Sequence, residues 1–310
     1  MVKDLILFGD CKETLKQFPR GSAQMCVTSP PYYGLRDYGG EANQIGQEET
    51  PEEFVNNLVE VFREVRDVLK DDGVLWLNIG DSYYNYRPGT GGLPKQRVSR
   101  TSQDLPTQCN RRANKLDGLK EKDLIGIPWM LAFALRADGW YLRQDIIWHK
   151  PNPMPESVKD RCTKSHEYIF LLSKNKKYYY DNEAIKEPVK QDWGTRNRDA
   201  GKYHNPGTGL QPHSGLTKSY ERKNKRDVWT ITNKPYKGAH FAVFPPDLIE
   251  PCILAGSQEG DIVLDPFMGS GTTAMVAKKH NRAYIGCELH EDYASLQTDR
   301  IDSIPPQLVL

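Results

Sequence analysis

The chain has no apolar run of membrane-spanning length, no closely spaced cysteine pair and almost no net charge. A spanning helix needs about 20 consecutive apolar residues, and Met1-Val2-Lys3-Asp4-Leu5 opens nothing like a secretory signal. A soluble, cytoplasmic protein without a membrane partner is therefore expected. Cys11, Cys26, Cys109, Cys162, Cys252 and Cys287 stand far apart, with no CxxC among them. Such scatter is expected of reduced core thiols, not of a disulfide framework or a zinc site, so no metal is expected. With 42 Lys and Arg against 41 Asp and Glu, the overall charge points to no partner. What is present is enough apolar material, 38% with 10% aromatics, to build a core and exclude global disorder.

The charge distribution says more than its sum. Between Tyr86 and Lys120 stand Arg87, Lys95, Arg97, Arg100, Arg111, Arg112 and Lys115, opposed by Asp104 and Asp117 alone. A second basic stretch runs from Lys186 to Lys237 and includes Glu221-Arg222-Lys223-Asn224-Lys225-Arg226. Two irregular basic stretches in a neutral chain suit a polyanion held on one face; two solvated loops read equally well.

Periodicity predicts strands at Leu5–Phe8, Gln24–Val27, Val74–Ile79, Tyr141–Trp148, Glu167–Leu172, Ile262–Leu264 and Ala283–Cys287. Helical patterns fall at Pro51–Leu69, Leu124–Arg136, Leu248–Ala255 and Thr272–His280, with a polar one through Leu15 and Phe18. Thr50, Pro51 and Glu53 make a capped start for the first long helix, and Gly73 is read as its end. Alternating strands and helices predict an α/β fold: a mostly parallel sheet with helices on both faces. Stretches near 83–123 and 185–238 lack this alternation and are read as insertions into one core.

Two motifs carry chemistry. Asp265-Pro266-Phe267-Met268-Gly269-Ser270-Gly271-Thr272-Thr273 lies between a strand and a helix. Glycines there let backbone approach a ligand, and the helix N-terminus offers free N–H groups. No Lys follows the last Gly and the third glycine of a dinucleotide fingerprint is missing. Glu288 ends the next strand, where a carboxylate can accept from ribose hydroxyls, so an adenosine-containing ligand is expected. The alternative is a plain glycine turn and a surface Glu. Thr28-Ser29-Pro30-Pro31-Tyr32 also follows a strand. Two prolines remove N–H groups, leaving the Ser29 and Pro30 carbonyls short of internal partners and free to receive an amino group. Tyr32 can stack on a planar base, worth about 1–3 kcal/mol. Read alone, this segment is equally a rigid turn with an aromatic plug.

Together the motifs resemble the amino-group DNA methyltransferases, and their order, catalytic tetrapeptide before cofactor loop, resembles the β-class with its circularly permuted, Rossmann-like fold. The resemblance covers most of the chain. It implies S-adenosyl-L-methionine as methyl donor and double-stranded DNA as substrate, with a cognate restriction endonuclease as a further partner and a monomer or homodimer as the working form. It places Asp10 and Cys11 of Phe8-Gly9-Asp10-Cys11 at the cofactor adenine, and it counts Thr28 among the cofactor contacts. Asp265, Phe267, Gly269, Ser270, Gly271 and Thr272 fall at its methionine part, and Glu288 at its ribose. Arg226–Trp229 and Ala239–Pro246, which includes His240 and Phe241, resemble the segment closing that pocket. Ser29, Pro30, Pro31 and Tyr32 form the catalytic centre. The implied division is 1–84 catalytic half, 85–123 basic insertion, 124–184 core, 185–238 target-recognition region and 239–310 cofactor half. Arg111, Arg112, Arg196, Arg198, Lys218, Arg222 and Lys223 are the expected DNA contacts, each also readable as a solvated side chain.

An exocyclic amine delocalises its lone pair into the ring; acceptors on both hydrogens favour a pyramidal nitrogen. The Ser29 hydroxyl and Pro30 carbonyl are assigned to that task, and Cys26 is read as core. A base inside a duplex must first be flipped out, costing a few kcal/mol. In the family, Ser at the first position of the tetrapeptide accompanies N4-cytosine methylation, and Asp or Asn accompanies N6-adenine methylation. The expectation is N4 of cytosine, with N6-adenine, RNA or a protein amide as alternatives.

Overall fold

The computed structural model describes residues 2–34, 44–84, 116, 118–189, 221–233 and 244–305. Eight strands form one sheet: β1 (Leu5–Phe8), β2 (Ala23–Thr28), β3 (Leu69–Ile79), β4 (Tyr141–His149), β5 (His166–Ser173), β8 (Val228–Thr230), β9 (Ile262–Asp265) and β10 (Ala283–Glu288). Their order across the sheet is β1-β10-β9-β2-β3-β5-β4-β8. A separate two-stranded ladder pairs β6 (Glu187–Pro188) with β7 (Arg222–Lys223). All pairings in the large sheet are parallel except those of β5, which runs against both β3 and β4. The expected mostly parallel α/β sheet is what forms.

Both faces are covered, as a parallel sheet requires. Successive strand residues alternate between the faces. Cys26, Leu75, Leu77, Leu264 and Ile285 enter one core with Phe54, Leu58 and Phe62 of α2 (Pro51–Val68) and Leu131 and Leu135 of α3 (Ile127–Ala137). Met25, Val27, Val74, Trp76 and Val263 enter the other, with Leu248, Cys252 and Ile253 of α4 (Pro246–Gly256) and Val276 of α5 (Thr272–Lys279). Phe62 is fully buried, and its truncation to Ala would cost about 3–5 kcal/mol.

Helix α2 starts as its sequence predicts. The Thr50 hydroxyl accepts from Glu53 N at 3.1 Å, and the Glu53 carboxylate accepts from Thr50 N at 3.2 Å. Gly73 does not end it: α2 stops at Val68 and β3 begins at Leu69. Gly73 lies inside the strand, where a Cβ would come 2.9 Å from the Lys70 carbonyl, so the residue serves a tight bend. Helix α3 begins at Ile127 and not at Leu124. Gly126 is left-handed (φ 88°), and the Asp81 carboxylate accepts from the Gly126 and Ile127 amides at 3.0 and 3.1 Å. This cap, supplied from the end of β3, sets the start that apolar spacing alone placed too early. The polar pattern after Asp10 is a short helix, α1 (Cys11–Thr14), followed by a 3₁₀ turn, Leu15–Gln17. Cys162 departs from the reading of core thiols: it is exposed, while Cys11, Cys26, Cys252 and Cys287 are buried.

The strand directions bring the C-terminal ends of β1, β2, β3, β4, β8, β9 and β10 to one edge of the sheet. The start of β5 lies there too. In open α/β sheets this edge is where ligands bind.

Candidate active site

Two chain segments far apart in sequence are joined at that edge. The Thr28 hydroxyl, fully buried, donates to Asp265 Oδ1 at 2.6 Å across a sequence separation of 237. The Thr273 hydroxyl donates to Asp265 Oδ2 at 2.6 Å, and Phe267 N to Oδ1 at 3.0 Å. Asp265 thereby ties the end of β2 to the first turn of α5. Burial raises its carboxyl to about 6, against the lowering effect of those donors.

The glycine loop is shaped from beneath. Gly269 and Gly271 have φ of 53° and 81°, which side-chain-bearing residues rarely adopt. Residues of α6 (Ala294–Asp302) support the loop: Gln297 donates to the Gly269 carbonyl at 2.7 Å, and Arg300 to the Ser270 hydroxyl at 2.7 Å. Glu288, 8% exposed, accepts from Gly269 N at 2.7 Å and from His290 N at 3.0 Å. No cation pairs with it among the described residues, and burial raises its carboxyl to about 7. The Thr272 hydroxyl is buried without a hydrogen-bond partner among the described residues.

The N-terminal strand completes this side. Phe8 is in register with Glu288, and Gly9 N donates to the Glu288 carbonyl at 2.8 Å. Asp10 caps α1, its Oδ1 accepting from Lys12 N at 2.9 Å. The Cys11 side chain turns into the core. Glycine backbone, a buried carboxylate and a partnerless buried hydroxyl at one end of the sheet fit a polar ligand with hydroxyl and charged groups, as a nucleoside carrying an amino-acid chain has.

On the other side of Thr28 the chain leaves the sheet. Ser29 is half-buried and Pro30 buried. Among the described residues, neither the Ser29 hydroxyl nor the Pro30 carbonyl has a hydrogen-bond partner. The turn packs on Gly46 (φ 101°), where a Cβ would lie 3.1 Å from the Tyr32 carbonyl. Cys26 sits inside β2 with its thiol pushed well up by burial, so it is no nucleophile at neutral pH.

Several residues that the sequence reading passed over surround Tyr32. Its hydroxyl donates to Glu167 Oε2 at 2.6 Å. Asn78 donates to the same oxygen at 3.3 Å, and Lys150 to the other. Gly80 meets the ring directly: a Cβ there would lie 2.7 Å from Cε2. The 150–165 loop adds Lys164, which donates to the Asp81 carbonyl at 2.8 Å, and Arg161, stacked over Tyr83 at 3.8 Å. A glutamate and a lysine at strand ends have no spacing that marks them, so the sequence offered no signal.

Of the expected DNA contacts, Arg222 and Lys223 form β7, and Arg222 donates to the Lys186 carbonyl at 2.9 Å. Arg111, Arg112, Arg196, Arg198, Lys218, His240 and Phe241 lie outside the described residues, as do most of the two insertions. Among the described residues no metal-binding cluster occurs and no helix is long and apolar enough to cross a membrane.

A family profile described as DNA methylase, of the N6/N4 type, matches residues 23–299. The chain is 46% identical over 293 residues to the type II methyltransferase M.Cfr9I of Citrobacter freundii, covering 94% of this chain and 86% of that protein. It is 48% identical over 301 residues to the type II methyltransferase M.SmaI of Serratia marcescens, covering 96% and 90%. Among solved structures, PvuII DNA methyltransferase (cytosine-N4-specific) superposes with a TM-score of 0.62 at 19% identity, over 97% of this chain and 86% of that one. That likeness concerns the fold.

Proposed function

The chain belongs to the N6/N4 DNA methylase family, and from that membership we propose that it methylates the exocyclic N4 of a flipped-out cytosine in double-stranded DNA. The observation that carries the reading is the Thr28–Asp265 hydrogen bond, which sets Ser29-Pro30-Pro31-Tyr32 against the glycine loop. S-adenosyl-L-methionine supplies an electrophilic sulfonium methyl when bound. Glu288 holds its ribose hydroxyls, and Asp10, with the backbone at Cys11, its adenine. The loop from Asp265 through Thr272, Phe267 included, would take its methionine part, and Thr28, His240 and Phe241 are further cofactor contacts that the family resemblance supports.

The Ser29 hydroxyl and the Pro30 carbonyl accept from the two hydrogens of the target amine. Both are free of protein partners among the described residues. Holding both hydrogens draws the nitrogen towards a pyramidal geometry with its lone pair on the methyl. This is positioning and electrostatic preorganisation, worth about 2.7–4 kcal/mol for one well-placed group. Pro31 stiffens the turn and Tyr32 stacks on the base. Ser29, where the adenine enzymes carry Asp or Asn, supports cytosine as the target.

The region 185–238 reads the DNA sequence and 85–123 grips the backbone, with Arg111, Arg112, Arg196, Arg198, Lys218, Arg222 and Lys223 meeting phosphates or bases. A cognate endonuclease accompanies the enzyme, as the type II names of its relatives support. Digestion of DNA from an expressing host to nucleosides, followed by mass spectrometry, tests the target. N4-methylcytosine is expected. N6-methyladenine without N4-methylcytosine would move the enzyme to the adenine branch of the same family.

A further inference from the structure

Tyr32 has a use for its hydroxyl that stacking does not explain. A phenyl ring stacks on a base as well as a phenol does, since the contact is between π faces. Yet the Tyr32 hydroxyl donates at 2.6 Å to Glu167, a carboxylate that is itself held. Lys150 binds Glu167 Oε1, and Asn78 reaches Oε2 at 3.3 Å while also donating to the Tyr168 carbonyl at 3.1 Å. The Glu167 and Lys150 side chains are only 15% and 16% exposed. A largely buried charged pair of this kind costs desolvation, and its hydrophobic replacement is often neutral or stabilising. Stability alone is a poor reason for it.

The strands fix the arrangement. In the β4–β5 ladder Trp148 is opposite Glu167 and His149 opposite His166, so Lys150 follows directly beyond the paired ends. Asn78 lies on β3, one residue before its end at Ile79. Groups from three neighbouring strands thus converge on the carboxylate that holds the Tyr32 hydroxyl, while Gly80 limits the ring from the side. We propose that Glu167 is a positioning residue that tethers Tyr32 and sets the plane on which the target base stacks. Lys150, bound to the other carboxylate oxygen, keeps the group turned to the tyrosine. A ring without the tether keeps its surface but samples several tilts, and the base then presents its amine to Ser29 and Pro30 less often. The proposal rests on the methyltransferase reading of the same site.

A double-mutant cycle with Glu167→Ala and Tyr32→Phe tests it, using labelled methyl transfer to DNA and S-adenosylmethionine binding by calorimetry. Each single variant is expected to lose at least about tenfold in kcat with unchanged cofactor affinity. The double variant should be no worse than the poorer single, because both remove one tether. Tyr32→Phe deletes one oxygen and keeps the ring, so it remains informative should Glu167→Ala fold poorly. Multiplying losses in the double variant, or wild-type kcat in Tyr32→Phe, would overturn the proposal. Absence of transfer by the wild-type protein would instead overturn the methyltransferase reading.

Discussion

The two sides of the cleft are built in different ways. The side proposed for the cofactor is made largely by one stretch of chain: Asp265 and Glu288 accept from amides and a hydroxyl two to nineteen residues away, with Thr28 the distant exception. The base side is made by side chains from β3, β4 and β5 meeting the turn after β2. The first is held by buried hydrogen bonds, mostly within that stretch. The second depends on sheet register, so a small change in one strand alters it. A methyl donor common to many reactions needs a fixed cradle, whereas the target base needs a surface that particular side chains define.

The largest expected effect breaks the link between the two sides. Asp265→Ala leaves the Thr28 and Thr273 hydroxyls and the Phe267 amide without their buried acceptor. Each orphaned donor costs about 1–3 kcal/mol. Calorimetry should show S-adenosylmethionine affinity reduced at least about 100-fold, with a lower denaturation midpoint. Normal binding would mean that the cradle does not depend on this carboxylate.

Ser29→Ala separates the sides more cleanly. It should leave cofactor affinity unchanged and lower kcat about 100-fold, the scale of one lost oxyanion-type contact. Equal loss of cofactor binding would show that the turn belongs to the cradle.

Proton linkage sharpens the contrast further. Asp265 and Glu288 are raised by burial to about 6 and about 7, so the folded chain holds their protons to higher pH than the unfolded chain does. Their contribution to stability is full below about pH 4 and is lost as pH rises through 6 and 7, on the order of 3 kcal/mol per group. The cofactor-free protein should therefore melt higher at pH 5 than at pH 8, as far as these groups decide. Cofactor affinity should rise severalfold from pH 6 to pH 8 as Glu288 ionises to accept from the ribose. Affinity flat over that range would remove Glu288 from the ribose contact.

The smallest effect belongs to the periphery. Lys223→Ala should weaken DNA binding uniformly across sequences and reduce the salt slope by about one unit. A change confined to one sequence would make Lys223 a base-reading residue.

This contrast also explains what could be read from the sequence. The strand–glycine loop–helix–strand unit ending at Glu288 was legible because its chemistry is contiguous. So were the capping box at Thr50 and the alternation that packs both faces of the sheet. Asp81, Asn78, Lys150 and Glu167 were not legible. A cap reaching α3 from the end of β3, or an ion pair set by the β4–β5 register, leaves no periodic trace in the chain. Gly73 was misread for a related reason: a glycine after a helical stripe usually ends the helix, but here the helix had ended at Val68 and the glycine serves a bend in the strand.

The most direct test of the account combines both sides in one reaction. Purified protein, S-adenosylmethionine carrying a deuterated methyl group and unmethylated duplex DNA are incubated, and the product nucleosides are resolved by mass. The expected product is deuterated N4-methylcytosine, greatly reduced with Ser29→Ala. Undiminished product from that variant, or label found in no DNA base, would contradict it.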